Sequence, residues 1–421
     1  MGYFVFREHM IHSVFTTTVV YAMLKFLPRA YARHAVLTFA LSYVSLGHIY
    51  RMYVDYLGWS LDFTGPQMLL TLKFTFYAFD LNDHYRTEEE IDKMEKPLAV
   101  HVRKSRLLYV PSALQYYSYM FWYGTFLAGP TLCPRQHFEF VDMSAFPNHE
   151  IPSGSYWHAF LRFGYGILLA VGIGIQGAFL PPSFIYTAQY MGSSLLYKMA
   201  YLWISSSLQR CTYYFAWLLS EGQCILSGMG FNGIDEPATA KAKQLNPKAE
   251  PVYKWDLASN VRPLSLETAT SIKEVTENWN LGADRWLRYY VYLRLPRPYS
   301  AYGMYITYVA SAFWHGFYPG YYVTFISAAF ATEMFRGIFR KIRPRMMVSP
   351  GSKDHGWAYA ILSRVLTTYV LSYTFVGFLM LSWERIFTLY NTLYWHGHIL
   401  FLASILILAY IVPSPPKKRV D

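Results

Sequence analysis

The sequence predicts an all-α protein that passes through a membrane many times, and three observations predict it. Charged residues make up only 15% of the chain against 54% hydrophobic ones, where an ordinary soluble protein carries about 25% charge. Long apolar stretches recur, each ending at proline, glycine or a cluster of charge; in lipid only helices and closed barrels satisfy every backbone polar group. The polar intervals are short, so about ten or eleven membrane segments fit into residues 1–421 as one membrane-embedded domain, with no internal repeat.

In chain order, His12–Leu27 and Ala32–Tyr50 read as the first two segments, parted by Pro28-Arg29. Asp62–Phe79 is less regular, with Gly65 and Pro66 at its start and Lys73 inside, which either snorkels or faces the interior. Residues 82–106 form the first aqueous interval. Glu88-Glu89-Glu90 followed by Lys93, Lys96, Arg103, Lys104 and Arg106 reads there as a solvated or an interfacial helix face. The aromatic Val110–Leu127 suits a membrane boundary or a substrate groove, and residues 130–155 are polar again. Pro181-Pro182 divides Trp157–Phe179 from Phe184–Ile204, and glycines between Gly164 and Gly177 permit close helix packing. Gln209–Gly228 contains Arg210 and Glu221, charges that must face inward or pair. Residues 231–277 are the longest polar interval. Residues 336–356 open with five basic residues in ten, Trp357–Leu381 and Leu389–Val412 are the last spans, and a basic tail fills 413–421.

Lys and Arg outnumber Asp and Glu by 37 to 26, mostly in loops, which suits anionic headgroups and phosphate-bearing substrates. The same charges are scattered among apolar segments, so nucleic acid is not an expected partner. Cys133, Cys211 and Cys224 form no disulfide framework and read as packing residues.

The chain is organised around Asn278–Tyr322, where His315 sits inside a long apolar run. Intramembrane titratable groups are costly and mark function. From Tyr302 to Phe335 the run is roughly 34 residues, about 50 Å as a straight helix, too long for a hydrocarbon core of about 30 Å. Gly316 and Pro319-Gly320 supply the break, directly after His315. Irregular backbone at membrane depth is tolerated where it is buried or lines a cavity, so His315 is expected to face one.

Trp314-His315-Gly316-Phe317-Tyr318-Pro319-Gly320-Tyr321, preceded by Trp279-Asn280 and Trp286-Leu287-Arg288, resembles the membrane-bound O-acyltransferase family, nearest its lysophospholipid acyltransferase branch. Asp62–Pro66, Ala128-Gly129-Pro130, Tyr213–Trp217 and Gly228–Gly233 resemble features of that branch in the same order. The chain departs from the family at Thr212, where a lysine usually precedes the paired tyrosines.

The resemblance implies helices around a central catalytic chamber and acyl transfer from acyl-CoA to the free hydroxyl of a lysophospholipid. The acceptor could carry a choline, ethanolamine or serine headgroup or be lysophosphatidic acid. It implies His315 and Asn280 as catalytic residues. A hydroxyl needs a base as it attacks a thioester, and histidine titrates nearest neutral pH. The amide of Asn280 either stabilises the oxyanion or orients the acceptor. The structural alternatives are a core histidine bonded to a carbonyl and a helix-capping amide. Trp279, Trp286, Trp314, Tyr318, Tyr321 and Tyr322 could line an acyl or headgroup channel or simply pack, and Arg285, Arg288 and Arg294 could meet phosphates or snorkel at the interface. No metal or cofactor beyond acyl-CoA as co-substrate is expected, since His396 and His398 diverge on a helix. A sterol, diacylglycerol or protein acceptor, or a transporter, are the competing readings. The tail resembles an endoplasmic-reticulum retention signal, so a multi-pass protein of that membrane is expected.

Overall fold

The computed structural model describes residues 2–58, 60–346 and 356–413, and among them the regular structure is helical apart from one antiparallel bridge, Ile234 with Tyr253. Residues 347–355 of the expected loop and 414–421 of the basic tail lie outside the described residues. The longer helices are α1 (Met10–Phe26), α2 (Arg29–Val54), α3 (Thr64–His84), α4 (Ser155–Phe179), α5 (Leu195–Leu226), α6 (Gly303–His315), α7 (Pro319–Gly337), α8 (Gly356–Met380), α9 (Trp383–Thr392) and α10 (His396–Leu406). The contacts divide into two compact units, each discontinuous in sequence. One is Met1–Ala170 with Tyr213–Val261 and Asn280–Ser300; the other is Val171–Thr212 with Arg262–Trp279 and Ala301–Asp421.

In the first unit, α3 starts where Asp62 Oδ1 accepts the Thr64 N–H at 2.9 Å, with Pro66 in its first turn. Val20, Val36, Leu70, Phe74, Tyr116 and Met120 form its core. Lys73 faces that core, 1% exposed, and its ammonium donates to the carbonyls of Tyr119 and Met120, both at 3.1 Å, and to Thr125 Oγ1 at 2.8 Å. Those carbonyls end the short helix Ala113–Met120, so a cation from another helix caps it and the aromatic stretch 110–127 breaks in two. The interval 82–106 is itself partly helical, with Lys96–Ser105 burying Leu98, Ala99 and Val102, while Arg103 pairs with Glu88 and Asp92 and the following Arg106 with Glu88.

The expected spans Phe184–Ile204 and Gln209–Gly228 are largely one helix, α5. The serines between them do not break it, because a hydroxyl can bond a carbonyl instead of competing for the backbone: Ser205 Oγ donates to Leu180 O at 2.8 Å. The glycines of α4 do admit close packing. In the first unit a Cβ on Gly166 would stand 3.5 Å from Leu218, and in the second one on Gly172 would stand 3.1 Å from the Cys211 thiol; Gly164, Gly174 and Gly177 face open space.

Arg210 and Glu221 are buried and paired as their depth requires. Arg210, fully buried, forks onto Glu267 at 2.7 Å through both Nε and Nη2, and Glu221 meets Arg162 at 3.0 Å. The last expected span is a bent pair, α9 and the helix from His396 to Ile411, at 75°, with Tyr394 and Trp395 left-handed between them.

By length and apolarity alone, the described residues contain two helices able to cross a membrane, Ser155–Tyr186 and Trp357–Met380, or three with the bent pair. The expectation of ten or eleven segments exceeds this for a physical reason. α2, α3 and α5 are long enough but contain charged residues, of which Lys73, Asp80, Asp83 and Arg210 are turned inward; α1 is only 17 residues and α6 only 13.

Candidate active site

The expected break is present. α6 ends at His315, Gly316 takes φ 123° and ψ −160°, a conformation only glycine adopts readily, and Pro319 opens α7. α7 then crosses α8 at close range. A Cβ on Gly320 would lie 2.3 Å from the Gly377 carbonyl oxygen, the Gly320 N–H donates to Leu381 O at 2.8 Å, and Thr324 donates to Thr374 O at 3.1 Å.

This crossing builds the surroundings of His315 within the second unit. The imidazole is partly buried and stacks on Phe325 of α7 at 5.2 Å, meets the edge of Phe378 of α8 at 5.0 Å, and has Tyr321 at 5.7 Å and Trp314 at 4.7 Å. Phe378 stacks on Phe375 at 5.9 Å, and Phe375 meets the ring of Trp279 at 6.0 Å. A continuous aromatic path therefore joins Trp279 to His315. Of the other aromatic candidates, Trp314 and Tyr318 are 3% and 6% exposed, with Tyr318 against Tyr321 at 6.1 Å, so both are walls rather than open contact surface.

Asn280 belongs to the first unit, where it caps the short helix Leu281–Trp286. Its backbone is left-handed, φ 45° and ψ 59°, which asparagine tolerates better than other non-glycine residues. Its Oδ1 accepts from the Ala283 N–H at 3.4 Å and from Asn260 Nδ2 at 3.3 Å. With the oxygen turned to the helix end, the Nδ2 protons point elsewhere, and among the described hydrogen bonds they are in none. The capping role anticipated as the plain alternative is real, and it leaves the donor half of the amide available.

Asn260 supports this arrangement: 3% exposed, it accepts the Gly282 N–H through its side chain at 3.0 Å and the Leu281 N–H through its carbonyl at 2.9 Å. Nothing in the polar interval around it singles it out in the sequence. Gly282 has no room for a side chain, since a Cβ would stand 2.1 Å from Thr131 Oγ1, directly after Ala128-Gly129-Pro130. Two stretches separated by about 150 residues are thus packed together.

The arginines divide. Arg285, half-buried, reaches Thr131 O at 3.4 Å, and Arg288 is exposed beside Tyr289. Arg294 is committed inside the protein: it pairs with the buried Asp83 and donates to Tyr289 O at 3.0 Å, so the phosphate contact considered for it is corrected. The segment after Arg285 is held by a buried network that sequence reasoning missed. Tyr290 donates to Asp80 Oδ1 at 2.8 Å, Ser105 donates to the same oxygen at 3.2 Å, and His101 lies 3.2 Å from the Tyr290 hydroxyl. Burial, with Arg285 and Arg294 nearby, pushes the His101 imidazole down to about 3. His396 is bonded to the Tyr369 hydroxyl at 2.5 Å and His398 to that of Tyr373 at 2.8 Å, and both rings lie against Tyr373, at 5.0 and 5.3 Å.

A titratable ring at a helix break inside apolar walls, in an all-helical chain that hides its charges, defines an enzyme-like polytopic membrane protein. The chain belongs to the membrane-bound O-acyltransferase family, whose model matches residues 49–382. It is similar to lysophospholipid acyltransferase 6 of Drosophila melanogaster, 33% identical over 99% of this chain and 56% of the relative. It is similar also to the lysophospholipid acyltransferase of Schizosaccharomyces pombe, 30% identical over 95% of this chain and 77% of the relative. Membrane-bound glycerophospholipid O-acyltransferase 2 of Rattus norvegicus is 29% identical over 100% of this chain and 79% of its own length. The chain thus spans little more than half of the Drosophila relative.

Proposed function

We propose that this protein transfers a fatty acyl group from acyl-CoA to the free hydroxyl of a 1-acyl lysophospholipid, in the endoplasmic-reticulum membrane. The observation that carries the reading is His315 at the end of α6, walled by Phe325, Phe378, Tyr321 and Trp314. The names of the relatives support the acceptor class.

His315 takes the proton of the acceptor hydroxyl as its oxygen attacks the thioester carbonyl. Asn280 is the candidate oxyanion donor, through Nδ2, the half of that amide its cap leaves out of the described hydrogen bonds. As the C–S bond breaks, His315 returns the proton to the CoA thiolate, so a new C–O bond replaces a C–S bond with no redox step. The aromatic walls keep bulk water from the thioester, which suppresses hydrolysis. Arg285 and Arg288 are the candidate phosphate contacts, and Trp279, Trp314 and Tyr318 the walls of the acyl passage.

The test is purified protein with labelled oleoyl-CoA and a panel of choline, ethanolamine and serine lysophospholipids and lysophosphatidic acid, beside sterol and diacylglycerol. Transfer to at least one lyso-lipid is expected, and its loss in His315→Ala at unchanged folded yield. Transfer to none of them ends the proposal.

A further inference from the structure

A cavity of about 340 Å³ opens in the first unit between residues 152–158 and 250–255, with Ser153, His158, Glu250, Val252, Tyr253 and Trp255 in its lining. Its size lies at the small end of the range for ligand pockets, about 300–1,000 Å³. Neither His315 nor Asn280 lines it, so the chemistry proposed above does not account for it.

One wall is pinned. The Asp235 N–H donates to Val252 O at 2.7 Å, the Val252 N–H to Thr239 Oγ1 at 2.9 Å, and the Lys254 N–H to Gly233 O at 2.9 Å. Trp255 is 5% exposed, with Phe231 against it edge-on at 5.8 Å and the His158 ring stacked at 6.1 Å. The other wall is the start of α4, one of the two helices able to cross a membrane unaided. The first turns of α4 expose Tyr156, Trp157 and Phe160, at 78%, 60% and 63%. Such aromatic girdles sit at headgroup depth, which sets the level of the cavity.

The lining chemistry selects the sign of the ligand. Glu250 is the one carboxylate and no lysine or arginine lines the cavity, while Tyr253 supplies aromatic surface backed by the buried Trp255. A carboxylate with aromatic faces at one small site is the chemistry that holds an alkylammonium group. The abundant source of that group at this depth is the headgroup of a zwitterionic phospholipid.

We propose that this cavity is an accessory lipid site that takes the ammonium headgroup of a zwitterionic membrane phospholipid. Occupancy ties the pinned segment 250–255 to the point where α4 enters the bilayer.

The protein in detergent, as wild type, Glu250→Gln, Tyr253→Leu and the double variant, is given equimolar phosphatidylcholine and phosphatidylglycerol of identical acyl chains. Retained lipid is counted by native mass spectrometry. The wild type is expected to hold phosphatidylcholine in preference. Each single variant is expected to weaken that preference about two- to fivefold, the range of an exposed ion pair or cation–π contact, and the double variant more. Glu250 is exposed, so Glu250→Gln should elute and melt like the wild type, and Tyr253→Leu, which loses a ring packed on Phe231, should elute like it and melt slightly lower. Free phosphocholine should displace the lipid. Equal retention of both lipids, an unchanged preference in the double variant, or no displacement overturns the proposal. Displacement by lysophosphatidylcholine at far lower concentration than by phosphatidylcholine of the same acyl chain also overturns it, since the cavity would then be an acceptor site. The readout is binding, so it stands whether or not acyl transfer is detected.

Discussion

Substitution of Asn280 separates fold from chemistry, because the structure gives the two halves of its amide different work. The oxygen caps the helix Leu281–Trp286 and the backbone is left-handed, while Nδ2 is the proposed oxyanion donor. Asn280→Ala loses the cap, worth about 1 kcal/mol, and places alanine in a conformation that costs it about 1–2 kcal/mol, a destabilisation of about 2–3 kcal/mol. Asn280→Gly keeps the backbone and loses only a few tenths of a kcal/mol. Asn280→Asp keeps both cap and backbone, and its charge at a helix N-terminus contributes about 0.3–1 kcal/mol of stability. All three remove the Nδ2 donor, which costs about 100- to 1,000-fold in turnover, and aspartate adds a negative charge facing the developing oxyanion. The assay pairs thermal melting with turnover of labelled oleoyl-CoA. Asn280→Asp should melt at or above the wild-type temperature and be the least active of the three. If it folds as well as wild type and keeps a third or more of the turnover, Nδ2 is not the donor and the capping role is all that Asn280 has.

Gly320→Ala places a Cβ against backbone atoms of Gly377 and Leu381, which cannot move singly, so α7 must shift from α8. A loss of about 1–3 kcal/mol is expected with a disproportionate fall in turnover, because Phe325 and Phe378 ride on those helices; an unchanged melting temperature refutes the close crossing. Glu267→Gln removes the carboxylate from the fully buried Arg210, which keeps Ser206 O, Ser207 Oγ and Ser372 Oγ, and should cost about 1–3 kcal/mol, whereas Arg210→Met with Glu267→Gln should cost less, read by paired thermal melts. Acid should destabilise the protein through two histidines, His137 buried and His101 half-buried: desolvation holds both down to about 3, so the unfolded chain binds more protons below about 6.5. Stability therefore falls as pH drops from about 6.5 towards 3, by about 2 kcal/mol for each group between pH 7 and 5. His101→Gln and His137→Gln should flatten that slope, and an equally steep one in the double variant would exclude them as its source.

The break after His315 was legible because both sides of the argument are local: a run longer than a bilayer is thick, and Gly316, Pro319 and Gly320 in a row. The pairing of Arg210 and Glu221 was legible in kind, since buried charge must be met, but Glu267 and Arg162 as partners were not. Asn260 and the Asp80–Tyr290–His101 network were invisible for the same reason. Each joins residues 20 to 210 positions apart, and one chain without its fold carries no record of such distances. Lys73 shows the boundary well: its burial was one of two readings, and the carbonyls that decide between them belong to a helix about 50 residues away.

What the amino-acid order settled unaided was the helical class, the membrane habit, the kink at His315 and the family resemblance, because periodicity, hydropathy and helix-breaking residues act within a few turns. Tertiary structure alone decided which helices hide their charges, that the last span bends, that α5 is continuous, and which half of the Asn280 amide is spent on its own helix. Those outcomes depend on a hydrogen-bond partner or an apolar wall arriving from a distant part of the chain, and only the folded protein supplies it.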